Sequence, residues 1–152
     1  MDLQVDRVDT DRIIIAAVPP TMIPLIWDKV EPEILKPIKL SHGEVTLESA
    51  KHRLETGQSM LITVSRGTKI LAVNTVEVRE FESGVRTLAI PLIGGSEMDQ
   101  WMDRFLEIVK AIAKDLNCTE LRGVAARKGW MRVLRNKGWE ELSTIVKCNV
   151  GE

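Results

Sequence analysis

A change of period in the middle of the chain restricts the fold more than any other feature of the sequence. Residues 59–65 read as a strand, Arg66-Gly67-Thr68 as a turn and 69–81 as a longer strand. Glu82-Ser83-Gly84 turns again into a third strand over 85–93. Turns this short join neighbouring antiparallel strands, so the segment predicts a three-stranded meander. Along the middle strand Val73, Thr75, Glu77 and Arg79 alternate with Asn74, Val76 and Val78, which predicts one covered face and one partly wet face.

Around this meander the punctuation favours helices and single strands. The β-branched run at 12–16 reads as a first strand, and Pro19-Pro20-Thr21 breaks it. A helical stretch starts at 22–29 with Pro24 in its first turn, and Pro32 and Pro37 predict two short helices or one bent one. Thr46 is placed to cap a helix over 47–55, with Glu48 in the first turn and Gly57 past the end. Met98, Trp101, Met102, Phe105, Val109, Ile112, Ala113 and Leu116 recur at helical spacing over five turns, with Ser96 as the expected cap. Residues 119–126 then read as a strand, 130–137 as a short helix closed by Gly138, and 139–146 as a last strand. The order β-α-α-β-β-β-α-β-α-β describes an α/β domain spanning residues 1–152, a mixed central sheet with helices on both faces.

Composition narrows the function classes. A net charge of −1 supplies no global field toward nucleic acid or anionic lipid. The longest apolar stretch, 13–20, is far too short to span a bilayer, and the acidic start of the chain lacks the pattern of a secretory signal, so an intracellular setting is expected. Cys118 and Cys148 lie far in sequence from His42 and His52 and show no metal-ligand spacing, so no metal site is predicted and both thiols read as reduced.

Two local signatures, in this element order, resemble the GNAT family of acetyl-CoA-dependent N-acetyltransferases over nearly the whole chain. The first runs Leu88-Ala89-Ile90-Pro91-Leu92-Ile93-Gly94-Gly95-Ser96 into the long helix; the second is Val133-Leu134-Arg135-Asn136-Lys137-Gly138-Trp139. The resemblance implies that Ile90, Leu92, Gly94, Gly95 and Ser96 line an acetyl-CoA site, with backbone N–H groups and the helix start holding the pyrophosphate. It also implies a carboxylate base on the central strands, for which Glu77 is the best placed of Glu77, Glu80 and Glu82.

The departures from the family pattern point the other way. No basic residue precedes the glycines, Glu97 and Asp99 bring carboxylates to the helix start, and Leu134 stands where the family often has an acidic tyrosine. The chain contains no tyrosine. The 127–139 region is similar to GNAT-like proteins of tailed bacteriophages, which implies a virion-associated structural or assembly role with a degenerate acetyl-CoA site. Other virion proteins would then be its partners, in the virion or the host cytoplasm. An active N-acyltransferase acting on an amine is the alternative; a protein-binding module using Met22, Ile23 and Trp27 is a third. The basic residues Arg122, Arg127, Lys128, Arg132, Arg135 and Lys137, interleaved with Trp130 and Trp139, are the candidate nucleic-acid surface. The plainer reading buries Trp130, Val133 and Leu134 and leaves the charges to solvent.

Overall fold

A computed structural model of the chain describes residues 12–124 and 129–151. The elements run β1 (Ile13–Val18), α1 (Ile23–Lys39) after a short 3-10 turn at Pro20–Met22, and α2 (Leu47–Glu55). The meander follows as β2 (Met60–Arg66), β3 (Lys69–Glu80) and β4 (Arg86–Gly95). Then come α3 (Met98–Asp115), β5 (Glu120–Gly123) and α4 (Trp130–Arg135). The five strands lie in sequence order in one sheet, antiparallel from β1 to β4, with β5 parallel to β4.

The strand alternation divides the core between two faces. Ile62, Val64, Ala72, Val76, Leu88 and Ile90 point to one face, beneath Trp101, Phe105 and Val109 of α3. Leu61, Val73 and Leu92 point to the other, beneath Ile23, Trp27, Val30 and Ile34 of α1 and Ala50 and Leu54 of α2. Ile23 and Trp27 are therefore core residues of α1 and unavailable to a partner; only Met22 of that trio is exposed.

Local chemistry accounts for the helix boundaries. Thr46 caps α2 in a reciprocal box in which its hydroxyl accepts from the Ser49 N–H at 3.0 Å and the Ser49 hydroxyl accepts from the Thr46 N–H at 3.1 Å. α1 stays one helix through Pro32 and Pro37. α3 begins differently from the sequence expectation: Glu97, not Ser96, is the N-cap, in the left-handed region at φ 55, with no side-chain cap. Ser96 is held to the sheet, its N–H on the Leu71 carbonyl at 2.9 Å. α4 closes as expected at Gly138 (φ 88), where the Gly138 N–H reaches the Arg135 carbonyl at 3.3 Å and the Trp139 N–H the Leu134 carbonyl at 3.1 Å. Val133 is half exposed, so Leu134 and the partly buried Trp130 carry the inward face of α4 without it.

One predicted element is missing. Residues 139–151 form no strand, and 140–151 are exposed throughout. Strand propensity needs a ladder to act on, and after the closure at Gly138 the segment pairs with none among the described residues. β5 ends at Gly123, and 125–126, predicted to continue it, lie outside the described residues.

Candidate functional site

The candidate cofactor residues all fall on β4, and its backbone is the informative part. Thr75 pairs with Leu92 and Glu77 with Ala89, so Ile90 and Pro91 together oppose Val76. This is a β-bulge, and Pro91, which has no N–H to give a ladder, occupies it without loss. The bulge changes the phase of the strand. Leu88 and Ile90 face α3 before it; after it Ile93 faces α3, while Leu92 joins the α1 side and a side chain at Gly94 would meet Pro37.

At the same point β5 leaves β4. Their pairing runs from Thr87↔Glu120 to Ile90↔Gly123 and stops, while β4 continues five residues further along β3. Ser96 and Gly94 direct their N–H groups toward β3, to the Leu71 carbonyl and to Asn74 Oδ1 at 3.3 Å. Strand alternation therefore turns the N–H groups of Ile93 and Gly95 toward the edge that β5 has left. Gly94 and Gly95 thus end a strand; they do not form a loop. Gly95 is required there, because a Cβ would lie 2.2 Å from that of Ala72 and 2.4 Å from the Leu71 carbonyl oxygen.

The start of α3 adjoins this edge, and its charge balance includes a residue that the sequence did not single out. Arg66, at the end of β2, donates to both carboxylate oxygens of Glu97 at 3.0 Å and to Gln100 Oε1 at 3.1 Å. Glu97 is therefore offset by a cation, while Asp99 remains in the first turn. Arg66 comes from another strand and is brought to Glu97 only through the register of β2, β3 and β4.

The mouth between the strands is apolar and narrow. Ile90, Ile93, Met102, Leu106, Trp130, Leu134 and Trp139 surround a cavity of about 20 Å³, the space of a single water. Leu134 is buried in this wall.

Glu77 sits on β3 opposite Ala89, one strand from the bulge and on the α1–α2 side, at 8% exposure. Its Oε1 accepts from the Ser59 hydroxyl at 2.7 Å and Arg53 at 3.5 Å, and its Oε2 from Arg79 Nε at 3.4 Å. Arg53 and Ser59 complete this cluster from α2 and the loop after it, and nothing in the sequence pattern singled them out. Glu80 and Glu82 lie near the outer end of the same hairpin, where Glu80 meets Arg86 at 3.7 Å.

Three of the described basic residues have acidic partners. Arg122 pairs with Glu120 and lies 4.5 Å from the Phe81 ring centre, Arg135 pairs with Glu141 at 3.2 Å, and Lys137 pairs with Asp103. Arg132 is exposed on α4, and Arg127 and Lys128 lie outside the described residues. Among the described residues no three His, Cys, Asp or Glu side chains gather as metal ligands, Cys118 and Cys148 are free thiols, and no helix is long and apolar enough to cross a membrane.

No protein-family model matches the chain, and no curated protein is similar to it in sequence. Solved structures share its fold. A predicted acetyltransferase from Clostridium acetobutylicum, solved with acetyl-CoA, superposes with a TM-score of 0.65 at 13% identity, covering 91% of this chain and 97% of its own. An aminoglycoside acetyltransferase from an uncultured soil metagenomic sample gives 0.66 at 10% identity over 95% and 100% of the two chains. A ribosomal-protein-alanine N-acetyltransferase from Brucella melitensis biovar Abortus gives 0.62 at 12% over 91% and 100%. The α/β fold of this chain, a five-stranded mixed sheet between helices, is the fold of the GNAT acetyltransferases.

Proposed function

We propose that the chain is an acetyl-CoA-dependent N-acyltransferase, with the cofactor arm along the open edge of β4 and the acceptor amine on the Glu77 side of the sheet. The observation that carries this reading is the bulge at Ile90–Pro91 at the point where β5 departs, which leaves the Ile93 and Gly95 N–H groups directed into the gap. An extended chain of amides is what such an edge binds. The residues fit that arm at the edge. They do not yet fit it at depth, because Trp130, Leu134 and Trp139 leave only about 20 Å³.

Acetyl-CoA supplies an activated thioester. The chain's own contribution is positional. Ile93 and Gly95 hold the arm, and the first turn of α3, uncapped by a side chain, faces the phosphates. Glu77 Oε2, whose one partner is Arg79 at 3.4 Å, accepts the proton of the acceptor amine, while Ser59 and Arg53 fix the carboxylate through Oε1. As the amine nitrogen bonds to the thioester carbon and the C–S bond breaks, Leu134 has no proton to give, so the released thiolate would take its proton from solvent. The Brucella relative acts on ribosomal-protein alanine and the metagenomic one on aminoglycosides, so alanine-terminated peptides and aminoglycosides are the first acceptors to try.

Titration calorimetry with acetyl-CoA tests the reading. Saturable binding is expected, and Gly123→Val should weaken it by about tenfold or more. A Cβ at Gly123 lies at ordinary contact distance, 3.8 Å from the Ile90 carbonyl, so it fills the gap without breaking the strand. No binding at millimolar ligand would refute the reading. It would favour the second one, a degenerate site, which the narrow apolar wall and Asp99 at the helix start support and which would leave the chain to a phage-type assembly role.

A further inference from the structure

The proposed base is surrounded by more positive charge than it needs. Glu77 is 8% exposed, and its Oε1 is already held by the Ser59 hydroxyl at 2.7 Å. Arg53 and Arg79 add two guanidinium groups, yet each makes one long contact, at 3.5 Å and 3.4 Å, and neither side chain has another acceptor among the described residues. Two cations against one carboxylate leave a surplus of positive charge. A guanidinium carries its N–H donors in a planar fork, so most of the donors at this spot are unused. Solvent reaches them, because the Arg53 and Arg79 side chains are 36% and 46% exposed.

The strand gives the cluster a direction. From the bulge outward, β3 presents Glu77 and then Arg79 on the α1–α2 side, two residues and about 7 Å further along. Arg53 reaches the same carboxylate from α2. The next charges across this face lie beyond Thr87, which stands opposite Arg79 and donates to Glu120. Glu120 and Arg122 pair with each other there and leave the surplus at Arg53 and Arg79 uncancelled.

We propose that the acceptor is an amine carrying a carboxylate within about 7 Å of its nitrogen, and that Arg53 and Arg79 form the subsite for that carboxylate. The inference rests on the acetyltransferase reading of Glu77 and names the acceptor class for it. The amine sits at Glu77 Oε2, on the bulge side. Its carboxylate lies farther out along β3, where it takes the unused donors of both arginines and offsets the surplus charge. A polycationic acceptor meets the same arginines as like charges, which weakens its binding. Acidic peptides are therefore favoured over aminoglycosides at this site.

Thiol release from acetyl-CoA, measured with the C-terminally amidated dipeptides Ala-Glu, Ala-Gln and Ala-Lys and with an aminoglycoside, tests the proposal. The peptides present the same amine and differ chiefly in the charge of the second side chain. Ala-Glu should exceed Ala-Lys in kcat/KM by about tenfold or more, with Ala-Gln between them. The preference should shrink at high salt, because both arginines are partly exposed. Arg79→Gln and Arg53→Gln should each bring the ratio of Ala-Glu to Ala-Gln toward unity, chiefly through KM. A purely structural role would slow all acceptors together and leave that ratio unchanged. Equal kcat/KM for the three peptides would overturn the proposal, as would a preference for Ala-Lys or the aminoglycoside. So would a preference for Ala-Glu that survives both substitutions, or acetyl-CoA binding without turnover of any acceptor. Acetyl-CoA that does not bind in the calorimetric titration is a different failure, which removes the functional reading and this inference with it.

Discussion

At the scale of single residues, β4 places two adjacent glycines under very different demands. Gly95 sits at φ 153, with Ala72 and the Leu71 carbonyl where its side chain would be, whereas a methyl at Gly94 meets only Pro37 Cδ at 3.4 Å. Gly95→Ala should cost more than about 2 kcal/mol in urea unfolding, and Gly94→Ala less than about 1 kcal/mol. Equal costs would mean that β4 does not press on β3 at this point. Substitutions at Gly95 consequently report on the β3–β4 ladder and cannot serve as a probe of ligand binding. The local reading of Thr46, Gly57 and Gly138 from sequence succeeded because each of these residues acts within a few positions of itself. The Arg66–Glu97 pair and the Ser59–Arg53–Glu77 cluster span 31 and up to 24 positions, and no local pattern encodes such distances.

At the scale of elements, β5 is joined to the sheet by four residues and one polar group. Glu120 accepts from Arg122 on its own strand and from Thr87 of β4 at 3.0 Å. The Arg122 bond chiefly holds the Glu120 carboxyl below its ordinary value of 4.5, against burial, which opposes it, and with a lesser contribution from the Thr87 bond. A carboxyl lowered in the folded state binds its proton more readily when unfolded. Its contribution is therefore complete above the ordinary carboxylate range and is lost as pH falls through the folded value. Glu120→Gln should be slightly less stable than wild type at neutral pH, and the difference should vanish in acid; a constant difference would contradict the assignment. The meander, α2 and α3 were legible because their periods are strong and their ends are capped. The last strand was misread for a complementary reason: period shows that a segment can pair, and whether an edge is within its reach is decided by the rest of the fold. The bulge in β4 was equally invisible, since Pro91 reads in sequence only as a weak point in a strand.

At the scale of the whole molecule, one sheet serves two cores. Ile62 anchors the α3 face and Ile34 the α1–α2 face, both at or near full burial. Ile62→Val and Ile34→Val should each cost about 1 kcal/mol, and the double variant about the sum, because the two side chains belong to separate clusters on opposite sides of the strands. Unfolding should remain a single transition, since neither face can loosen its helices while the sheet stays intact; two resolved transitions would show that the faces fold separately.

The bulge carries a consequence for the length of the chain. Deleting Pro91 would leave Leu92 on the α1 side, Ile93 on the α3 side and Gly94 against Pro37, because removing one of two residues opposite Val76 restores a regular ladder in the register that already exists on either side. Neither core needs the extra residue. A chain one amino acid shorter would bury the same side chains in the same places, so β4 is one residue longer than its packing requires, and the surplus marks the spot where the sheet comes apart.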